Sequence, residues 1–277
     1  MNGSRNSVFR SRGKRPIDTV SFDGNGTVFT PLHERSMSAL SLMVAARVLK
    51  RRIKIPEDLF EERMNRLRID LALYGSGDKL VQGSVEYWGA RNAAIFNSFG
   101  YRCRREEGCR ISAIIRSDPR LYEVSAVRKA ALRKITKNGF GAPGSLPVRR
   151  TLIASSSDRA MIMSITERCK VSHLFGTIVT PVDLGETEKI DLEFFPKLLE
   201  REALDPSRTV HIGNSAFKDA TAAKSGIWTI LVMSENNSAS YPELRKLYGA
   251  EAMGRIFPAR NLDEVWQVLN SRFVSVR

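Results

Sequence analysis

The chain has 277 residues, 42% of them hydrophobic, and a formal net charge of +14 from 44 Lys and Arg against 30 Asp and Glu. That apolar content excludes a wholly disordered chain, and no run approaches eighteen uninterrupted apolar residues, which excludes a membrane-spanning helix. Cys103, Cys109 and Cys169 stand beside His33, His173 and His211 in no CxxC or HxxxH spacing, so neither a disulfide scaffold nor a zinc site is expected.

Residues 1–16 form a basic tail with Arg5, Arg10, Arg12, Lys14 and Arg15 and no acid before Asp18. Its Ser- and Arg-rich composition resembles a mitochondrial targeting segment, and a plain basic tail is the alternative. Next, Ile17–Phe22 reads as a strand, stopped by Asp23-Gly24-Asn25-Gly26-Thr27. A helix is expected from about Glu34 to Lys54, with Leu40, Met43, Val44, Val48 and Leu49 on one face, until Pro56 breaks it. Further helices are expected over Glu57–Tyr74 and Ser84–Phe96, separated by the turn Gly75-Ser76-Gly77. The Gly/Pro-rich stretch 139–147 reads as a linker.

Beyond it the pattern changes. The short apolar runs Arg150–Ala154, Gly176–Thr180, Thr209–Gly213 and Thr229–Met233 read as strands. Helical stretches around Asp158–Lys170, Leu192–Ala203 and Ala216–Ser225 lie between them, and Leu262–Arg272 closes the chain as a helix. Such alternation means βαβ units around a parallel sheet buried on both faces. The expected organisation is one α/β domain made of residues 17–32 and 148–277, interrupted by a largely helical insertion over 33–147.

Charge is distributed unevenly along this plan. Residues 1–150 hold 29 Lys and Arg against 14 Asp and Glu, whereas residues 151–277 hold 15 against 16. Within 101–150 there are 13 basic residues and 4 acids, including Arg102, Arg104, Arg105, Arg110, Arg128, Lys129, Arg133, Lys134 and Lys137. The spacing of Arg128, Arg133 and Lys137 around Val127, Ala131, Leu132 and Ile135 suits an amphipathic helix with a basic face. Arg outnumbers Lys here and pairs bidentately with phosphate, so these nine residues are the candidate RNA-binding set, through the backbone rather than by base stacking.

Ligands of a doubly wound sheet sit outside the carboxyl ends of its strands. Asp23, Ser155, Asn214 and Asp219 follow predicted strand ends, and Lys189 precedes a predicted helix. The set resembles the haloacid dehalogenase-like (HAD) superfamily. Its first motif, DxDGT, is matched by Asp23-Gly24-Asn25-Gly26-Thr27, and its second by Leu152-Ile153-Ala154-Ser155. Lys189 matches the third, and Gly213-Asn214-Ser215-Ala216-Phe217-Lys218-Asp219 the fourth. The resemblance covers nearly all of residues 17–270. It implies a Rossmann-like core with an inserted helical cap, to which Ser84–Trp88 also has a likeness.

The resemblance further implies Asp23 as covalent nucleophile, with Thr27, Ser155 and Lys189 around a phosphate. It places Mg²⁺ among Asp23, Asn25, Asn214 and Asp219 in an active member. Two positions depart from the pattern: Asn25 stands where the acid/base Asp belongs and Asn214 where the first motif-four carboxylate belongs. An amide cannot shuttle a proton, and each change removes a negative charge from a dication site. Three functions follow as expectations. The first is a basic, noncatalytic component of an RNA-containing assembly with other proteins, such as a matrix mitochondrial ribosome, needing no cofactor. The second is an Mg²⁺-dependent phosphatase of a small phosphorylated metabolite through an Asp23 phospho-aspartyl intermediate. The last is a dehalogenase, whose members typically have an aromatic at the Asn25 position and an amide at the Ala216 position.

Overall fold

A computed structural model describes residues 13–32, 37–74, 85–233 and 241–276. The basic tail through Arg12 and the Gly75-Ser76-Gly77 turn lie outside the described residues. Arg15–Ile17 forms β1 and Thr19–Phe22 forms β2. Thr30–Pro31 (β3) then leads into four helices, Met37–Val48 (α1), Glu57–Tyr74 (α2), Val85–Ser98 (α3) and Arg105–Ser117 (α4). The chain returns through Tyr122–Glu123 (β4), which pairs antiparallel with β3, and Ala126–Lys137 (α5). There follow Arg150–Ala154 (β5), Arg159–Arg168 (α6), Thr177–Val179 (β6), Phe194–Glu202 (α7) and Thr209–Gly213 (β7). The last elements are Thr221–Lys224 (α8), Trp228–Val232 (β8), Tyr241–Met253 (α9), Ile256–Ala259 (β9), Leu262–Arg272 (α10) and Phe273–Ser275 (β10).

The six strands β6-β5-β2-β7-β8-β9 form one sheet in that order, and every neighbouring pair is parallel. All residues of β2 and β7 are buried, because helices cover both faces and leave no solvated side for alternation. The central strand β2 pairs with β5 on one side and β7 on the other, so Phe22 lies level with both Ile153 and Ile212. The residues after these strands, Asp23, Ser155 and Asn214, are thereby placed at one end of the sheet. This is a doubly wound α/β fold with an inserted set of helices.

Several boundaries differ from the sequence expectation. Residues 15 and 16 belong to β1 rather than to the tail: β1 pairs in parallel with β10. Lys14 Nζ donates to the carbonyls of Gly141 and, at 2.6 Å, Asn270. The helix expected to Lys54 ends at Val48, with Lys50 in the left-handed region at φ 50°. The inserted chain enters and leaves beside the β3–β4 pair, and α5 packs on α10 of the sheet domain. The helix expected over Ala216–Ser225 shortens to the four residues of α8. Among the described residues no helix is long and apolar enough to cross a membrane.

Candidate active site

The turn after β2 is held by its own backbone: Val28 and Phe29 N–H groups both donate to the Gly24 carbonyl, at 2.9 and 3.0 Å. Gly26 is required twice. Its φ of +91° disfavours a side chain, and a Cβ there would run into the Asn214 amide. Asp23 N–H donates to Ile212 O at 2.7 Å, which fixes the carboxylate between the ends of β2 and β7.

Lys189 Nζ donates to Asp23 Oδ1 at 2.7 Å and to Ala154 O at 2.8 Å, and it also pairs with Asp219 Oδ1. The ammonium is 1% exposed. Asp219 Oδ1 is 2.9 Å from His211 Nε2, and Asp219 Oδ2 accepts from Ser215 N–H at 2.7 Å. His211 Nδ1 lies 3.1 Å from Ser21 Oγ, and its ring packs on Phe195 with centroids 4.9 Å apart. Oriented to satisfy its neighbours, the Asn214 amide donates to Asp23 Oδ2 at 3.3 Å and to Asn25 O at 3.0 Å.

The protonation states follow from burial and pairing. Burial, aided by the Asp219 charge, pushes the Asp23 carboxyl up to about 6 against the pull of Lys189. Burial acts on Asp219 in the same sense, but Lys189 and the His211 N–H outweigh it and hold that carboxyl well below the ordinary range. Burial, together with Lys189, lowers the His211 imidazole to about 4. Burial also acts against charge on Lys189, yet Asp219 and Asp23 raise it above the usual lysine value. At neutral pH His211 is therefore neutral, donating from Nε2 to the acceptor-only Asp219 and accepting at Nδ1 from the Ser21 hydroxyl.

The structure brings Asp23, Asn25, Ser155, Asn214 and Asp219 to the wall of one cavity, with Lys189 bonded directly behind them. Ser155 Oγ accepts from Ser157 N–H at 3.2 Å. Thr27 is fully buried, and its Oγ1 has no hydrogen-bond partner among the described residues. Asn25 turns its amide toward Met37 Sδ, 3.5 Å away, and not toward Asp23. Of the nine basic candidates, Arg102, Arg104, Arg105, Arg110, Arg133, Lys134 and Lys137 are exposed, with Arg104 beside Glu107 at 3.5 Å. Lys129 is half-buried. Arg128 is placed otherwise: Nη1 donates to Gly26 O at 3.0 Å and Thr27 O at 2.6 Å, so it braces the Asp23 turn from within. Lys134 stacks over Trp266, 5.0 Å from the ring centroid.

Sequence reading missed four site neighbours: His211, Glu188, Lys218 and Arg116. His211 carried a signal, a polar residue in an otherwise apolar buried run. Glu188 is raised to about 7 by burial, opposed by Lys218 and Arg116.

A family model for a haloacid dehalogenase-like hydrolase matches residues 17–226. The chain belongs to that family. Solved structures agree on the fold of this HAD-like protein. The HAD-hydrolase YfnB from Bacillus subtilis, bound to magnesium, superposes with a TM-score of 0.63 at 15% identity, covering 92% of this chain and 100% of that one. The L-2-haloacid dehalogenase from Xanthobacter autotrophicus gives 0.57 at 12% identity over 91% and 98%. A HAD family hydrolase from Deinococcus radiodurans R1 with bound phosphate and sodium gives 0.57 at 16% over 92% and 96%. No match was found among curated proteins.

HAD hydrolases typically use Mg²⁺, and the donor set here does not fit it. Both oxygens of Asp219 and both of Asp23 already accept hydrogen bonds or face the Lys189 ammonium, and Asn214 presents N–H where a carboxylate would stand. A hard dication wants oxygen ligands. Among the described residues no group of three or more His, Cys, Asp or Glu side chains could hold a metal ion.

Proposed function

We propose that this HAD-like protein has lost metal-dependent phosphoryl transfer and serves as a basic component of an RNA-containing assembly, with a mitochondrial ribosome or its assembly machinery as the setting. The observation that carries the first half is the Lys189 ammonium lying between Asp23 and Asp219, with the Asn214 amide on the remaining Asp23 oxygen. Phosphoryl transfer depends on neutralising charge that builds on the transferred group. Here one ammonium already serves two carboxylates. Asn25 cannot replace the missing general acid and faces Met37. The second half is supported by the basic excess before residue 151 and by exposed Arg102, Arg105, Arg110 and Arg133.

Two measurements test this reading. Millimolar Mg²⁺ should neither raise the melting temperature nor elicit phosphate release from a panel of phosphomonoesters; Mg²⁺-dependent release abolished by Asp23→Asn would establish the phosphatase alternative instead. Binding to single-stranded or hairpin RNA should fall about 10³-fold between roughly 50 and 200 mM salt if six or more phosphates are contacted. Affinity indifferent to salt would remove the electrostatic basis for RNA.

A second reading is favoured by one observation: Asp23 keeps a carboxylate held by an ammonium, which suffices for displacement at carbon without a metal. An Asp23 oxygen would attack the carbon bearing a halide, halide would leave, and water would cleave the resulting ester at its carbonyl. Incubation with 2-chloropropionate followed by intact-mass and peptide analysis decides it. The noncatalytic reading expects no adduct and no chloride; an ester mapped to Asp23 would replace it.

A further inference from the structure

The cavity beyond Asp23 has a volume of about 1100 Å³ and is walled on one side by the sheet ends and on the other by the inserted helices. That is room for a ligand well beyond a phosphate group, since drug-sized sites run to roughly 300–1000 Å³. Its helical side carries an unusual cation. Arg116, in the last turn of α4, is half-buried in the cavity wall. It makes no hydrogen bond or ion pair with any described residue. The charged groups facing it are Glu188 and Asp158, with the Tyr122 hydroxyl nearby, all beyond ion-pair distance. Asp158 is committed to capping α6 through Met161 N–H at 3.2 Å. Lys218 acts on Glu188 from the motif-four loop, so two cations share this carboxyl.

An aromatic side chain borders the same space. Trp88 Nε1 is buried and has no hydrogen-bond partner among the described residues, and Trp88 lines the cavity together with Met64 and Ile115. A half-buried guanidinium with no hydrogen-bond partner among the described residues is costly to keep, and its planar fork matches a carboxylate or phosphonate bidentately. The apolar wall beside it suits a hydrocarbon or aromatic body.

We propose that Arg116 is a specificity-determining residue that takes the acidic group of a small amphipathic organic acid, at a point apart from Asp23, with the ligand's apolar body against Trp88, Met64 and Ile115. The proposal needs no turnover and goes beyond the functional reading above, whichever way the assays of phosphate, halide or RNA come out.

The test is calorimetric titration of the full chain with phenylphosphonate and 3-phenylpropionate, neither of which offers a leaving group, against the neutral 3-phenylpropan-1-ol. Wild type should bind the acids at least about tenfold more tightly than the alcohol. Arg116→Gln should weaken the acids by roughly 10- to 100-fold, the effect of losing a charged hydrogen bond, and leave the alcohol unchanged. Arg116→Lys should keep part of the preference, and Trp88→Phe should cost less than Arg116→Gln. Arg120→Gln, an exposed cation paired with Asp118 at 2.9 Å, should change nothing. No binding of either acid to wild type at millimolar concentration would overturn the proposal. So would equal weakening by Arg116→Gln and Arg120→Gln, which would mean general charge attraction. Thermal melts of each variant separate lost binding from lost folding, and the alcohol reports cavity integrity independently.

Discussion

Replacing Lys189 with methionine should remove about 3–5 kcal/mol of folding stability, because it strips the shared cation from two carboxylates that stay buried. Lys189 is 1% exposed and Asp219 is equally buried, so water cannot take over the ammonium's role. A loss of that size is a large part of the 5–15 kcal/mol typical of a folded domain, and urea denaturation at pH 7.5 would read it directly. The loss should shrink at pH 5, where Asp23 takes up a proton and only one charge remains. Pairing Lys189→Met with Asp219→Asn should recover part of it. A Lys189→Met protein as stable as wild type would mean that the ammonium is not the electrostatic keystone of this site.

The second large effect has the opposite sign. Asp23→Asn should stabilise the protein at pH 7.5 by on the order of 2 kcal/mol. The folded-state Asp23 carboxyl lies at about 6, above its ordinary value of 3.8, because burial and Asp219 disfavour its charge. The native state therefore binds more protons than the unfolded chain in that window, and stability falls as pH rises from about 4 to about 6. Above the window the cost is constant, and below it Asp23 is neutral in both states, so the advantage of asparagine should vanish near pH 4. Asp219 contributes in the reverse direction, its stabilisation being lost as pH falls. Asparagine at 23 can still accept from Lys189, and the Asn214 amide can rotate to accept from it. Equal or lower stability of Asp23→Asn at pH 7.5 would count against a carboxylate held under strain. A position that costs stability in this way is one where chemistry or binding, past or present, has set the residue.

Much of the sheet domain was legible in the chain. Arg150–Ala154, Thr209–Gly213 and Leu262–Arg272 form as the apolar patterns indicate, since strands buried on both faces write continuous apolar runs. The site's membership was legible too, because its residues follow strand ends whose register the fold fixes. What escaped was contact made by small or charged groups. Helix α4 hides its packing face, because Gly108 and Ser112 lie buried among its arginines and a Cβ on Gly108 would meet the backbone of Gly89 on α3. The expected helix from Ala216 starts only at Thr221, after turns that Asp219 closes by accepting from Ser215 N–H four residues back. Arg128 and Arg116 look like surface charge in sequence, yet one braces the Asp23 turn and the other enters the cavity. Whether an arginine points outward depends on which helix face the rest of the fold covers.

The pairing of β1 with β10 bears on which cuts in the leading chain the fold tolerates. Its outermost ties on the leading side are the Lys14 bonds to Gly141 and Asn270 and the stacking of Arg15 on Trp228, at 4.2 Å. A processing peptidase that cut the chain just ahead of Gly13 would leave every one of these in place. Trimming ahead of Gly13 would then cost the fold none of this clasp, whereas a cut two or three residues later would open it.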